Sequence, residues 1–467
     1  MRKYYWYLTS YTRKHGLVVL LSIVAAIIVF SVFIPTIVTF IEQKPRVYIG
    51  VVGQYSLTNL PRPVKQLISY GLTSIEEDGS TSPAVAERWI VEDDGKSYRF
   101  VIKQNLLWHD GSQVQPSDIE YHLRDVEVIA TPNDLVFKLP DAYVPFPGTV
   151  SEPIIKWTDQ KYLFFFTRRM PLGVGSYRVI DYSEKDGRLE QIVLDGPKDR
   201  LVYRFYLTEE EAVTAFKHGR IDVLSDLSKL HDIANWNTTT VTTTIRTDRY
   251  LAVFFNNAKP IFNKNIRQAL SYALQKPDPS IRALGPINPT SWAYLEGGKS
   301  YDYDLERAKE RILAELPPQP LTFQLTTTAT FQEEAENIKR QWETFGQQAY
   351  QACQENDDIE DKNQCENVRI AITLRVSNFP DTQDYDALLI GQEIPPDPDQ
   401  YSLWHSDQST NFTHYKNTRI DALLERGRQE MDTNERLATY QEFQQFFLDD
   451  APAVFLRYLE SYEVKRK

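Results

Sequence analysis

The stretch NLLWHDGSQVQPSDIEYHL, residues 105–123, gathers side chains of the kinds that bind metals or exchange protons. They are Trp108, His109, Asp110, Asp118, Glu120 and His122. Two interpretations compete: a metal or acid–base site, which would make the protein an enzyme, and a polar part of the scaffold.

Turn and helix-start signals in the same stretch favour the scaffold. The Asp-Gly pair at 110–111 is typical of a turn, and Pro116 suits the first position of a helix. Asp118 would then lie in the first helical turn, where the helix dipole favours a carboxylate. The spacing predicts a helix on which Asp118 and His122 pair. We therefore expect no catalytic residue and no metal site here.

The composition indicates a folded globular body. The chain has 467 residues, of which 42% are hydrophobic and 12% aromatic, and its formal net charge is −12. This length is enough for two or three domains with sizeable cores. A general nucleic-acid binder would need clustered positive charge, so we expect no nucleic-acid partner.

The N-terminal region has a different character. Residues 17–41, LVVLLSIVAAIIVFSVFIPTIVTFI, carry no charged side chain and would reach roughly 37 Å as a helix, against a bilayer core of about 30 Å. The basic side chains around it are Arg2, Lys3, Arg13 and Lys14 before it, and Lys44 and Arg46 after it. The positive-inside bias predicts a cytoplasmic segment at 1–16, a transmembrane signal anchor at 17–41 and an extracytoplasmic body. Cleavage after the span is the alternative.

The two cysteines fit that compartment. Cys353 and Cys365 flank the acidic segment QENDDIEDKNQ. In an oxidising exterior, a disulfide between them would close this loop. A two-cysteine metal site would need two further ligands nearby, and none is evident.

Periodicity predicts a mixed α and β chain. A short strand, RVYIGVVG, follows the apolar run, and a β-hairpin is expected around the Asp-Gly turn at 94–95. In the second half, helices alternate with strands. Asp304 is a predicted helix N-cap, and the helix in FQEEAENIKRQWETFG is expected to end at Gly346.

Several phrases, in order along the chain, carry a family resemblance. They are SPAVAERWIVEDDGKSYRFVIKQNLLWHDGSQVQPSDIEY, GVGSYRVIDY, AFKHGRIDVL, LAVFFNNAKPIFNKNIRQALSYALQK, YDYDLERAKERIL, DYDALLIGQEIPPDPDQYSLWHSDQSTNFTHYKNTRIDALLERGR and DAPAVFLRY. On these phrases the chain resembles the extracytoplasmic solute-binding proteins of peptide and nickel ABC importers, the dipeptide/oligopeptide-binding family. The resemblance covers almost everything after residue 47.

The resemblance implies a two-lobed periplasmic-binding-protein-like α/β fold, of class II or cluster C type, behind one N-terminal transmembrane helix. Lobe 1 is expected at 47–252 with a reduced accessory subdomain, lobe 2 at 253–452, and a return to lobe 1 at 453–467. It implies a binding protein rather than an enzyme, without a cofactor. The protein would capture a peptide or other small solute between its lobes and deliver it to the permease of an ABC importer.

One departure bears on the ligand. Peptide binders of the family anchor the ligand's amino group on an aspartate, in a phrase like Trp-x-x-Asp-Tyr-x-Asp-Pro. This chain has QEIPPDP at 392–398 instead, where only Glu393 offers a nearby carboxylate. A sensor or envelope-assembly module that keeps the fold but does not transport is therefore the alternative function.

The loop PPDPDQYSLWHSD and its surroundings supply the candidate ligand-binding residues. They are Trp404, Tyr401, Asp397, Asp399, Glu393, Trp292 and Asn256. Each has a structural alternative: the aromatic side chains could pack the wall of lobe 2, Asp397 could cap the following turn, and Asn256 could tie backbone at the crossing strand.

Overall fold

A computed structural model describes residue 6 and residues 14–31, 44–162 and 166–467. Its helices are α1 Lys14–Ser31, α2 Arg62–Ile68, α3 Phe146–Thr149, α4 Glu209–Lys217, α5 Lys264–Tyr272, α6 Leu305–Ala314, α7 Gln332–Glu355, α8 Tyr401–Trp404, α9 Thr418–Gln429 and α10 Thr433–Asp450. Its strands are β1 Arg46–Val52, β2 Thr73–Ile75, β3 Thr81–Pro83, β4 Ala86–Glu92, β5 Ser97–Ile102, β6 Glu127–Ala130, β7 Asp134–Lys138, β8 Lys156–Tyr162, β9 Phe166–Leu172, β10 Arg178–Lys185, β11 Arg188–Asp195, β12 Arg200–Tyr206, β13 Val223–Leu227, β14 Thr239–Phe255, β15 Leu321–Thr327, β16 Ile370–Val376, β17 Ala387–Glu393 and β18 Ala453–Arg466.

A ten-stranded mixed sheet runs through the whole body. Its order is β10-β11-β12-β1-β13-β18-β14-β17-β15-β16. A separate four-stranded antiparallel sheet has the order β4-β5-β7-β6, and two two-stranded hairpins, β2-β3 and β8-β9, complete the strands of the described chain. The expected two-lobed α/β fold is confirmed, with lobe 1 on the β10–β13 side of the large sheet and lobe 2 on the β15–β17 side.

Two long strands join the lobes. β14 has 17 residues and β18 has 14, and they pair antiparallel over most of their length. The β14–β18 ladder is interrupted between Arg246 and Tyr250: the lobe 1 part ends at the pair Arg246–Leu459, and the lobe 2 part begins at Tyr250–Tyr458. A second register shift follows between Leu251 and Ala252. We expect the longer interruption, which lacks ladder bonds, to be the more deformable part of the connection.

Side-chain alternation along β14 explains how lobe 2 is built. Leu251, Val253 and Phe255 enter one core, which α5, α6 and α7 cover. The residues between them, such as Ala252 and Phe254, enter a second core on the opposite face, covered by α9 and α10. A strand buried on both faces in this way is apolar at every position, as LAVFF is.

Lobe 1 has three smaller cores. One lies beneath the four-stranded sheet around Phe100, Trp108 and Phe137. The others lie under α2 with β10 and β11, and between α4 and strands β1 and β13. None of these five cores includes a residue of α1.

The helix predicted from Pro116 is wrong beyond its first turn. A 3-10 turn spans Pro116–Asp118, and Ile119 is already extended. The pairing of Asp118 with His122 is therefore not formed. Asp118 instead accepts hydrogen bonds from the Trp108 indole at 3.2 Å and the Lys156 ammonium at 2.9 Å. These two partners lie elsewhere in the chain and hold the turn in place.

Other local predictions have mixed outcomes. The hairpin around residues 94–95 is confirmed, and Asp304 caps α6 by accepting the Arg307 N–H at 3.0 Å. The predicted end of a helix at Gly346 is wrong, because α7 continues to Glu355. Gly346 is a packing position: a Cβ there would lie 2.6 Å from the Ile370 backbone nitrogen.

The disulfide between Cys353 and Cys365 is formed, and both residues are fully buried. It joins the end of α7 to a 3-10 segment, Lys362–Val368, so the acidic loop is fixed at both ends. Closing such a loop stabilises the fold by about 3 kcal/mol in the chain-entropy model.

The apolar N-terminal segment forms a helix where it is described. α1, Lys14–Ser31, is long and apolar enough to cross a membrane, and none of it is buried against the body. Most of the expected cytoplasmic segment and residues 32–41 of the expected span lie outside the described residues. The predicted lobe bounds, 47–252, 253–452 and 453–467, stay a proposal.

The lobes touch each other away from the crossing strands. On the β2–β3 turn of lobe 1, the carbonyl oxygen of Asp78 accepts the Trp292 N–H at 3.0 Å, and that of Glu77 accepts the Thr290 hydroxyl at 2.8 Å. On another side, the Val144 N–H donates to the Arg428 carbonyl oxygen at 2.8 Å. These contacts join opposite lobes, and we expect them to belong to the closed arrangement.

Gly79 is expected to be required for closure. It has φ +80°, and a Cβ there would overlap the carbonyl oxygen of Pro396 in lobe 2. We expect Gly79→Ala to raise the radius of gyration of residues 44–467 in small-angle scattering. Gly111→Ala is the matched control, because Gly111 has φ +84° and no atom within 4 Å of the added Cβ. Both variants should lose about 1–2 kcal/mol of unfolding free energy from left-handed strain; equal scattering curves would contradict the role of Gly79.

Candidate functional site

The main cleft lies where the two lobes meet. It has a volume of about 1110 Å³ and is lined by the carboxyl ends of β1 and β13, the start of α2, the interrupted part of the β14–β18 ladder and the segment after β17. In α/β sheets, ligands bind outside the carboxyl ends of parallel strands, where loops leave a crevice. The cleft is therefore the candidate binding site.

An ion network crosses the cleft wall at the ladder interruption. The Arg246 guanidinium donates to Asp248 at 2.7 Å and reaches Asp226 of lobe 1 at 3.5 Å. Arg249 donates to the same Asp226 at 3.3 Å. Burial opposes ionisation of Asp248, but Arg246 outweighs it and holds the pKa of Asp248 below its usual value. The network thus ties lobe 1 to the joint between the lobes.

Two groups in this network have unused hydrogen-bonding capacity. The Arg249 Nε is buried without a hydrogen-bond acceptor in the part of the chain that is described. Its nearest carboxylate is Glu393 at 3.7 Å, whose side chain is 82% exposed. A buried donor without a partner is uncommon, and an exposed carboxylate beside it is free to bind a cation. Both groups are available to a ligand.

Neighbouring residues complete the polar wall. Burial, with the charges of Asp226 and Glu393, raises the pKa of Tyr55, so its hydroxyl stays neutral and can donate or accept. Pro395 and Pro396 have no N–H, so this part of the wall offers carbonyl oxygens only. Arg62, at the start of α2, is exposed and forms no ion pair with any described residue.

Of the seven residues predicted to bind ligand, Glu393 alone lines this cleft in the described structure. Asp397 binds the Arg436 guanidinium through two hydrogen bonds, at 2.6 and 3.1 Å, and accepts the Asp399 N–H at 2.9 Å. Burial raises the pKa of Asp397, while Arg436 lowers it. Asp397 therefore caps its turn, as the structural alternative expected.

Asp399 and Tyr401 are also held within the protein. Asp399 accepts from Arg428 at 2.8 Å and from the Tyr401 N–H at 3.0 Å. The Tyr401 ring stacks on His405, with centroids 4.2 Å apart, and the Arg428 guanidinium lies 4.0 Å from the centroid of the Tyr401 ring. These contacts fix α8 to α9 and leave neither side chain on the cleft wall.

Trp404, Trp292 and Asn256 also lie off the wall of this cleft. Trp404 is 2% exposed and packs on Phe447, with ring centroids 4.5 Å apart. Asn256 donates its amide to the Tyr385 carbonyl oxygen at 3.0 Å, which ties backbone at the end of β14. Trp292 contributes the interlobe hydrogen bond to Asp78 described above. The cleft instead takes Ser402 and Leu403, between the two predicted aromatic residues.

The polar stretch at 105–123 is scaffold. Burial lowers the pKa of His109, whose Nε2 donates to the Gly175 carbonyl oxygen at 2.9 Å while its Nδ1 accepts the Gly173 N–H at 3.3 Å. Asp110 accepts the N–H and hydroxyl of Ser112 within a turn. Among the described residues, no group of three or more histidine, cysteine, aspartate or glutamate side chains could hold a metal ion.

The ion network at the ladder interruption was not predicted from the sequence. Arg246, Asp248 and Arg249 occupy RTDRY, directly before the apolar run LAVFF. Alternating opposite charges just ahead of a buried crossing strand were the available signal. Their partner Asp226 lies on a different strand, β13, and the pairing of β13 with β18 and of β18 with β14 brings the two together.

Comparisons with known proteins agree with this architecture. The family model for bacterial extracellular solute-binding proteins, family 5 (middle), matches residues 80–411. The dipeptide-binding protein of Escherichia coli is 22% identical over 97% of this chain and 95% of its own length. The oligopeptide-binding protein AppA of Bacillus subtilis is 21% identical over 89% of this chain and 87% of its own length.

Solved structures show the same fold. NikZ from Campylobacter jejuni, in complex with Ni(L-His), superposes with a TM-score of 0.67 at 21% identity, covering 91% of this chain and 94% of NikZ. AppA of Bacillus subtilis, in complex with a nonapeptide, gives 0.62 at 18% identity, covering 91% of this chain and 95% of AppA. Together with the family match over most of the body, these findings show that the chain belongs to the bacterial extracellular solute-binding proteins of family 5.

Proposed function

We propose that the protein captures a peptide or peptide-like solute in the cleft between its lobes and delivers it to an ABC importer. The observation that carries this proposal is the cleft itself, which lies between the two lobes beside the interrupted β14–β18 ladder. On its wall, the Glu393 carboxylate lies 3.7 Å from the Arg249 Nε, and that buried Nε has no hydrogen-bond acceptor among the described residues. A ligand that satisfies groups of both lobes favours the closed state, which is how such proteins bind.

The chemistry of the cleft and the similarity to peptide-binding relatives both support a peptide ligand. The volume of about 1110 Å³ lies just above the range for small-molecule sites, about 300–1,000 Å³, and leaves room for a short peptide. Glu393 supplies a carboxylate for a ligand ammonium group, and the carbonyl oxygens of residues 394–396 accept from peptide N–H groups. The dipeptide-binding and oligopeptide-binding names of the relatives support the same class.

Glu393 gives the sharpest test of this assignment. We expect Glu393→Gln to weaken binding of short peptides to residues 44–467 by about 10- to 100-fold, the range for a lost charge-assisted hydrogen bond. Peptides with an acetylated amino terminus should bind weakly to both proteins and discriminate little between them. Isothermal titration calorimetry measures both series.

The control removes the same charge elsewhere. Glu360 is exposed on the disulfide-closed loop of lobe 2 and does not line the cleft, so Glu360→Gln should leave peptide affinity unchanged. If no peptide of a varied panel binds while another solute class does, the peptide assignment fails. If Glu393→Gln binds like the unaltered protein, the amine contact fails while the cleft assignment stands.

We also propose that α1 anchors the body to a membrane, with the N-terminus in the cytoplasm and the lobes outside. The helix Lys14–Ser31 is apolar and unburied, and the apolar sequence continues to Ile41. A tether of this kind raises the concentration of the binding protein near its permease.

Membrane extraction tests the anchor. The full chain should stay with the membrane fraction after alkaline carbonate washing, because a spanning helix is not released by loss of electrostatic contacts. A chain lacking residues 1–31 should be released by the same wash. Recovery of the full-length protein in the wash, or a mature N-terminus beyond residue 41, would contradict the anchor.

A further inference from the structure

The floor of the cleft is one face of the lobe 1 sheet. Ile49 of β1 pairs with Tyr203 of β12 and with Val223 of β13, so the three side chains share a face. Val223 also pairs with Lys465 of β18, and Glu463, two residues earlier on that strand, points to the same face. All of these except Lys465 line the cleft. Glu463 is therefore a carboxylate on the cleft floor.

Eight charged side chains of the described residues line the cleft, four of each sign. They are Arg62, Lys65, Arg246, Arg249, Asp226, Asp248, Glu393 and Glu463. Arg246 donates to Asp248 at 2.7 Å. Arg249 donates to Asp226 at 3.3 Å. The charges of these two ion pairs cancel within the protein.

The other four side chains decide which charges a solute meets. Lys65 pairs at 2.5 Å with Glu152, which does not line the cleft. Arg62 and Glu463 are exposed and form no ion pair with any described residue. Glu393 lies beyond hydrogen-bonding distance of its nearest cation, at 3.7 Å. One guanidinium and two carboxylates thus remain for a ligand.

These three free charges belong to different lobes. Arg62 begins α2, and Glu463 lies on the lobe 1 part of β18. Glu393 ends β17, in lobe 2. A solute that contacts all three therefore bridges the lobes, and a ligand with such contacts favours the closed state.

We propose that the cleft selects short peptides that carry a basic side chain and have both termini free. This specificity rests on the peptide-binding function proposed above. In the bound peptide, Arg62 receives the terminal carboxylate, and Glu463 receives the basic side chain. Glu393 receives the terminal ammonium group. The ligand charges then complement those of the wall, so that no charge is left unpaired when the lobes close.

Other peptides match this wall less well. An uncharged or acidic side chain at the same place leaves Glu463 without a counter-charge in a cleft from which water is expelled. Coulombic interactions strengthen as water leaves, so the mismatch costs more in the closed state than in the open one. The formal net charge of the chain, −12, also raises the local concentration of cationic solutes.

Calorimetry on the full chain, in a neutral detergent, tests the selectivity. The peptides are Ala-Ala-Ala and its variants with lysine or glutamate in place of one alanine, at each position in turn. We expect the best lysine peptide to bind about 10-fold more tightly than Ala-Ala-Ala, and the glutamate peptides to bind more weakly. About 0.5 M salt should reduce the lysine advantage. Equal affinities, or a preference for glutamate, would overturn the proposal.

Glu463→Gln tests the contact with the basic side chain. This variant should lose the lysine advantage without binding Ala-Ala-Ala more weakly, because it removes only the counter-charge of the lysine. Glu120→Gln is the matched control, since Glu120 is exposed in lobe 1, forms no ion pair with described residues and does not line the cleft. It should keep the full advantage. Equal weakening of all peptides by Glu463→Gln would refute the contact.

Arg62→Gln tests the contact with the terminal carboxylate. The unaltered protein should bind carboxyl-terminal amides about 10-fold more weakly than free acids, and Arg62→Gln should bind the two forms alike. Arg124→Gln is the matched control, because Arg124 is also exposed in lobe 1, unpaired among the described residues and absent from the cleft wall. A variant Arg62→Gln that still prefers free acids would overturn this contact.

Failure of the proposed function would look different from failure of the selectivity. If no peptide binds, the peptide-binding function is wrong, and the selectivity falls with it. If peptides bind without regard to their side-chain charge and carboxyl terminus, the function stands and the selectivity is overturned.

Discussion

The pairing of β14 with β18 is the interaction on which the rest of the structure depends. These two strands belong to both lobes at once, and each lobe builds its sheet outward from them. Within lobe 2 the ladder is buried on both faces, between two aromatic-rich cores. The ladder has register shifts between Arg246 and Tyr250 and between Leu251 and Ala252, and we expect movement between the lobes to be concentrated at the first of them, where the lobe 1 part of the ladder ends.

The chemistry of the cleft follows from that break. Residues that leave a ladder expose backbone and side chains, and here they are Arg246, Asp248 and Arg249. Their ion pairs with Asp226 link the break to lobe 1, and the contact with Glu393 links it to the end of β17. Any rotation of the lobes changes these distances. A ligand that forms a hydrogen bond or ion pair with Glu393 or with the Arg249 Nε therefore contacts the connection between the lobes directly.

Much of the fold could be predicted because its signals are local. The apolar run LAVFF, the Asp-Gly hairpin turn and the Asp304 cap each depend on residues within a few positions of one another. The family resemblance supplied the long-range arrangement that local patterns lack. The helix expected from Pro116 failed because Asp118 is satisfied by Trp108 and Lys156, and this competing arrangement is not visible in the helical spacing.

The site was harder to predict for the same physical reason. Aromatic and acidic residues near a Pro-rich loop suit a ligand wall and a packed core equally well, and the choice depends on distant partners. Arg436 of α10 binds Asp397, and Arg428 of α9 binds Asp399. These ion pairs hold the loop against the helices of lobe 2. Glu393 has no such partner within hydrogen-bonding distance, which is why it alone of the seven remains on the cleft wall.

We propose that solute binds between the lobes and closes them about the break in the β14–β18 ladder. The most direct measurement is a pair of crystal structures of residues 44–467, without ligand and with the tightest-binding peptide. We predict peptide density in the cleft beside Glu393, and a rotation of lobe 2 on lobe 1 whose backbone changes are confined to residues 246–250 and their partners in β18. Peptide bound outside the cleft, or lobes in the same relative orientation in both structures, would contradict the account.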